Sequence, residues 1–248
     1  MTKIYYILLI STLISCSISN NKEKETEEKV ISSEENSLAS DLNKRKEAFS
    51  AKASDYTKKI YAEGIQSIVN DNVVENALQV GDTAINFTLK NALNKDITLY
   101  DKLKDGPVIL MWYRGGWCPY CNLTLNHMQA SLPEFKQYNA NLLALTPELP
   151  DSTLSTQDKN ALKFDVLSDI DNKVAGQYKV VFNLTSDVAD AYEQNFGLSK
   201  YNGNSSAQLP LAATYIIGTD KVIKYAFLDA DYRNRAEPKE IISVLKTL

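Results

Sequence analysis

Two cysteines three residues apart, Cys118 and Cys121, are the residues of this sequence best placed to do chemistry. At the start of a helix they share one face, about one turn from each other, within reach of a disulfide. Such a bridge closes a very small loop, so by the loop-entropy account it stabilises little. A bond of low structural value that forms and breaks reads as a redox switch. Cys118 takes the expected N-cap, and Pro119 the first helical position, where its missing N–H is harmless. The free N–H groups of Tyr120 and Cys121 and the helix dipole would favour a thiolate on Cys118. Arg114 adds positive charge if its side chain turns back, Trp117 shields one side, and Gly115 and Gly116 let the chain turn sharply. The expected division makes Cys118 the attacking thiolate and Cys121, deeper and less exposed, the resolving thiol.

Other chemistries fit less well. A zinc site needs about four ligands, and beyond the pair the soft ligand left is His127, the single histidine of the chain. No metal and no cofactor are expected, and His127 reads as an ordinary helix residue. A purely structural disulfide remains an alternative. Three cysteines in 248 residues do not make a disulfide scaffold. A formal net charge of -4, with no basic block interleaved with aromatics, argues against nucleic acid as a partner.

The elements that must hold the pair are readable around it. Val108 to Tyr113 is a continuous apolar run, as in a central strand covered on both faces. A helix is expected from the cysteines to about Tyr138, with Leu123, Leu125, Met128, Leu132 and Phe135 inward, and a second buried strand over Asn141 to Thr146. Strand, helix, strand in that order make a βαβ unit. Ile85–Leu89 and Ile97–Tyr100 read as short extended stretches, and Phe164–Asp169 as a strand. Val174–Tyr178 and Val188–Phe196 read as helices. Thr214–Ile217 and Val222–Phe227 read as a hairpin, and Pro238–Leu248 as a closing helix. Residues 38–74 carry apolar residues at helical spacing without proline, one broken helix or two, within an N-terminal extension spanning 38–78 that packs on a domain at 79–248.

The first residues form a targeting segment. Lys3 precedes an apolar run from Ile4 to Ile14, too short to span a membrane. It ends in Leu13-Ile14-Ser15-Cys16, which resembles a bacterial lipoprotein signal covering 1–16, with the lipid on Cys16. That implies a lipid-anchored membrane protein of the cell envelope, facing the periplasm or exterior. Residues 17–37 are polar and charge-dense, and read as a disordered linker or a short charged helix.

The stretch Val108-Ile109-Leu110-Met111-Trp112-Tyr113-Arg114-Gly115-Gly116-Trp117-Cys118-Pro119-Tyr120-Cys121-Asn122 resembles the peroxiredoxin-like branch of the alkyl hydroperoxide reductase/thiol-specific antioxidant (AhpC/TSA) family. The similarity runs from about Leu38 to Leu248 and includes Val166-Leu167-Ser168-Asp169 and Asp231 to Pro238. It implies an α/β, thioredoxin-like fold with a central mixed sheet flanked by helices. It also implies reduction of hydrogen peroxide or organic hydroperoxides through a cysteine sulfenic acid, a Cys118–Cys121 disulfide, and recycling by thioredoxin or a similar dithiol donor. Arg235 matches one of the family's arginines. Typical members carry Thr or Ser three residues before the reactive cysteine. Here that place is Gly115 before Cys118 and Cys118 before Cys121, so either sulfur can be the peroxidatic one. Ala212-Ala213 stand before Thr214, where a thioredoxin-type reductase has a cis-proline. This leans toward a peroxidase over the alternative, a membrane-tethered thiol–disulfide oxidoreductase. A non-catalytic binding or envelope-structure protein is the third reading.

Overall fold

Helices at the amino-terminal side lead into the sheet in the computed structural model of the protein, which describes residues 37–248. The candidate signal at 1–16 with Cys16, and the linker expected over 17–37 apart from Ser37, lie outside the described residues. The helices are α1 (Leu38–Lys52), α2 (Asp55–Asn70) and the single turn α3 (Val73–Asn76). Ser37 and Ser54 cap α1 and α2 by accepting from the amides of Ser40 and Thr57, which satisfies donors a helix start otherwise leaves free.

A small antiparallel ribbon, β1 (Thr88–Lys90) with β2 (Asp96–Thr98), and the turn α4 (Leu99–Lys102) come next. The extended stretch expected through Tyr100 therefore stops at Thr98. Leu99 turns into a helix because its amide bonds back to Phe87 and its side chain is fully buried.

The principal elements follow in the order β3 (Val108–Trp112), α5 (Pro119–Gln137), β4 (Asn141–Thr146), α6 (Pro150–Lys159) and β5 (Asp165–Ser168). Then come α7 (Lys173–Gln177), β6 (Val181–Asn183), α8 (Ser186–Phe196), α9 (Leu198–Asn202) and β7 (Gln208–Pro210). The chain closes with β8 (Thr214–Ile217), β9 (Ile223–Phe227) and α10 (Pro238–Leu245). The central sheet has the order β5-β4-β3-β8-β9. β3, β4 and β5 run parallel, whereas β8 and β9 are antiparallel to their neighbours. β6 and β7 form a separate antiparallel pair.

β3 lies in the middle and is buried along its whole length. Successive side chains of a strand alternate between faces. Val108, Leu110 and Trp112 therefore join one core with Leu143, Leu145, Tyr178, Val188 and Tyr215. Ile109, Met111 and Tyr113 join the other, with Leu125, Met128, Leu132 and Phe135 of α5, Ile241 and Ile242 of α10, and Leu38 and Leu42 of α1. Leu123, expected inward, is half-buried against this second core. Both cysteines belong to it. The α1 helix is held there by a 2.9 Å bond between His127 on α5 and Asp41, which lowers the Asp41 carboxyl below its usual range. Among the described residues no helix is long and apolar enough to cross a membrane.

Candidate active site

The site begins where β3 ends. Tyr113 still bonds to the neighbouring strand, its amide donating to the Leu145 carbonyl at 2.9 Å. The chain then leaves the sheet through Arg114-Gly115-Gly116-Trp117. Gly115 sits at φ 151°, and a Cβ there would lie 2.2 Å from the Trp117 indole nitrogen. A Cβ on Gly116 would lie 2.0 Å from the Thr156 hydroxyl. Each glycine is thus required by close approach as well as by the turn. The loop is fixed at both sides: the Cys118 amide donates to the Gly115 carbonyl at 3.0 Å, and the Asn122 side-chain amide donates to Gly116 O at 2.8 Å.

Cys118 is the N-cap of α5 and Pro119 its first residue. The sulfur makes no capping hydrogen bond, so direct bonds from the helix amides are not what favours its thiolate. It turns toward a guanidinium instead. Arg114 Nη2 donates to Cys118 Sγ at 3.3 Å, and Nη1 donates to the Tyr192 hydroxyl at 2.9 Å. The guanidinium carbon lies 3.7 Å from the ring centre of Tyr232, 5.1 Å from that of Trp117 and 5.4 Å from that of Tyr192. Three rings hold the cation by their faces, which replaces part of its lost hydration. Burial works against the Arg114 charge, but the facing Cys118 thiolate holds the proton firmly in place.

Cys121 sits one turn into α5 against a second arginine. Arg235 Nη2 lies 3.6 Å from Cys121 Sγ. The same guanidinium donates to the Asn234 carbonyl at 2.7 Å and to the Tyr232 carbonyl. Both cysteines are free thiols, and both are fully buried. The expectation that Cys121 is the less exposed is corrected here, because both sulfurs pack into the core shared with α1 and α10.

Equal burial does not give equal acidity. For Cys118, burial works against the thiolate, but hydrogen bonding from Cys121 and the charges of Arg114 and Arg235 outweigh it. The Cys118 thiol is therefore held well below the ordinary range. For Cys121, burial pushes the thiol well up, and donation to Cys118 pushes it further. In the reduced pair the negative charge is therefore favoured on Cys118 and the proton on Cys121.

A cleft of about 80 Å³ lies beside the helix start, lined by Arg45, Phe49, Arg114, Trp117, Pro119 and Tyr232 among others. It has room for several water-sized molecules, since one needs about 10–15 Å³ of such space. Its walls are interlocked rings: Trp117 packs on Tyr192 and on Phe196 at 5.1 Å, and Phe49 stacks on Tyr61 at 5.6 Å. The structure thus gathers Arg114, Trp117, Pro119 and Arg235 around Cys118 and Cys121. Sequence reasoning did not single out Tyr192, Tyr232 or the buried Glu148. Tyr232 stood within the Asp231–Pro238 stretch that carried the family resemblance. Tyr192 gave no signal, because its role depends on a helix that returns from the other side of the sheet.

A mixed sheet with a strand–loop–helix dithiol at its carboxyl edge defines a thioredoxin-fold redox protein. The chain belongs to the AhpC/TSA family, whose model matches residues 80–226. It is similar to a provisionally named peroxiredoxin bcp of Helicobacter pylori strain J99, 27% identical over 160 residues, which are 64% of this chain and 94% of the relative. The thiol-disulfide oxidoreductase ResA of Bacillus thuringiensis is 29% identical over 104 residues, 42% of this chain and 59% of that protein. Among solved structures, the peroxidoxin BcpB of Mycobacterium tuberculosis superposes with a TM-score of 0.55 at 19% identity. That match covers 69% of this chain and 98% of the other, a likeness of fold.

Proposed function

We propose that this chain is a thiol-dependent peroxidase, a peroxiredoxin in which Cys118 is the peroxide-reactive sulfur. One observation carries the reading: a buried sulfur, Cys118, bonded to a buried cation, Arg114, that itself lines a cleft sized for a small molecule. The Cys118 thiolate attacks the terminal oxygen of the peroxide, and the O–O bond breaks. The sulfur becomes a sulfenic acid, and the other oxygen leaves as hydroxide or alkoxide and takes a proton from solvent to become water or an alcohol. Arg114 stays charged throughout and faces the oxygen on which negative charge builds, where a fixed cation is most effective. Cys121 then forms the S–S bond, its proton leaving with the sulfenic hydroxyl as water. Thioredoxin or a similar dithiol returns the pair to the reduced state. Both sulfurs are covered, so that step needs the first turn of α5 to open.

Stopped-flow mixing with hydrogen peroxide or an organic hydroperoxide tests this, with Trp117 fluorescence as the signal. Fast oxidation of the parent and its loss in Cys118→Ser are expected. Oxidation no faster than that of a free thiol defeats the reading. A second reading, a thiol–disulfide oxidoreductase, draws on the similarity to ResA. Trapping of a mixed disulfide with a protein substrate by Cys121→Ser would favour it, whereas the full burial of Cys118 speaks for a small oxidant.

The anchoring of the protein at the cell envelope through lipid on Cys16 belongs to this proposal as well. It is supported by the Ile4–Ile14 apolar run and the residues before Cys16. Cys16→Ser should release the protein from membranes on fractionation.

A further inference from the structure

Glu148 has no part in the chemistry above, yet its carboxyl is fully buried two residues past the end of β4. It lies under the cysteine loop. Oε1 accepts from the Gly116 amide at 2.9 Å, and Oε2 faces the hydroxyls of Thr146 and Thr156, both at 3.4 Å. These partners are one amide and two hydroxyls, none of them a cation. The titratable group facing the carboxyl is Tyr113, from the end of β3, whose buried hydroxyl lies beside Glu148 and Thr146. Tyr113 in turn packs in the same core as Cys118 and Cys121. Glu148 thus meets the site through the Gly116 amide, two residues before Cys118, and lies beside Tyr113.

A buried carboxyl is costly in its charged form unless well paired. Burial accordingly raises Glu148 above the usual carboxylate range, with the Gly116 amide working against that rise. An apolar side chain would pack under the loop at lower cost, so the acid calls for an explanation. We propose that Glu148 is a positioning residue of the redox site: it pins the Gly116 amide, and its protonation responds to the oxidation state of the dithiol. This rests on the peroxidase reading only for the identity of the natural oxidant. Reduced, the site holds a negative sulfur, which favours the neutral carboxyl. In the disulfide that charge is gone, and Glu148 gives up its proton more readily.

The test uses the full chain and diamide, which oxidises a dithiol whether or not the protein is a peroxidase. Diamide takes two electrons and two protons; the pair supplies both electrons and the Cys121 proton, and solvent supplies the other. Infrared difference spectra, reduced minus oxidised, are recorded across the acid-to-neutral range. The parent should show loss of a protonated-carboxyl band on oxidation, with its midpoint moving down by about one pH unit. Glu148→Gln keeps an oxygen for the Gly116 amide and should lack the band. Glu148→Asp keeps the acid but shortens the reach, and should lower thermal stability while retaining a carboxyl band. A parent spectrum with no carboxyl change, or a band unaltered in Glu148→Gln, overturns the proposal. If either variant fails to fold, the parent spectrum alone decides. Failure of peroxide to oxidise the protein would sink the peroxidase reading and leave this result standing.

Discussion

Cys118 and Cys121 are three residues apart at one helix start, equally buried, and each faces an arginine, yet the acidity of the first is raised and that of the second lowered. Both arginines reach both sulfurs, so the difference lies in the hydrogen bond that Cys121 donates to Cys118 and in how closely each guanidinium approaches its own sulfur. Among the described residues Arg114 donates to one neutral hydroxyl, Tyr192, and meets three ring faces besides Cys118, so no carboxylate or carbonyl competes with that sulfur there. Arg235 donates to two backbone carbonyls and stands further from its sulfur. One negative charge already on Cys118 then disfavours a second on Cys121. Burial alone would raise both thiols, so the Cys121 hydrogen bond together with the nearer cation, Arg114, decides which sulfur is the more acidic.

The comparison breaks most severely at the sulfurs. Cys118→Ser should remove peroxide turnover altogether, whereas Cys121→Ser should still be oxidised and stall as a sulfenic acid. Intact mass after a peroxide pulse, with one added oxygen trapped by dimedone, distinguishes them. Arg114→Met comes next. Removing an opposite charge at this range should raise the Cys118 thiol by about 1–3 pH units, seen in the ultraviolet absorbance of the thiolate. Arg235→Met should act more weakly, by about one unit, raising both sulfurs because its charge reaches both.

The same asymmetry sets the pH dependence of stability. The folded Cys118 thiol lies below its unfolded value, so its contribution is complete above the unfolded value, about 8.5, and is lost as pH falls through the folded one. Cys121 is raised, so its contribution is present below the unfolded value and lost as pH rises through the folded one. Reduced parent protein should therefore gain thermal stability from acid toward neutral pH by a margin that Cys118→Ser lacks.

Smaller effects sharpen the contrast from outside. Gly116→Ala places a methyl against Thr156 and should cost about 1–3 kcal/mol by overpacking, with weaker peroxide reactivity because the loop shifts. Ser54→Ala removes the α2 cap and should cost about 1 kcal/mol, leaving both thiol titrations unchanged. Chemical denaturation measures each.

Much of the positioning scaffold was legible because burial writes itself into sequence. Val108–Tyr113 and Asn141–Thr146 are apolar runs, and Cys118-Pro119 marks a helix start. The helix Pro150–Lys159 went unread, since its Ser and Thr residues are poor helix formers, although Pro150 stands at a first helical position. The arginines were named from their spacing and family match, but the neighbours that set their strength were not visible. Tyr192 reaches Arg114 across 78 positions, and Arg235 reaches Cys121 across 114. Glu148 sits in a short Pro147-Glu148-Leu149-Pro150 stretch that looks like a solvated turn, and only tertiary packing buries it.

The central claim is tested most directly by following the Cβ chemical shifts of both cysteines in the reduced protein as pH is varied. Cys118 should already be ionised well below the ordinary thiol range while Cys121 stays protonated through neutrality. If Cys121 ionises first, or if both sulfurs titrate as ordinary thiols, Arg114 does not select the reactive sulfur and the assignment of roles is wrong.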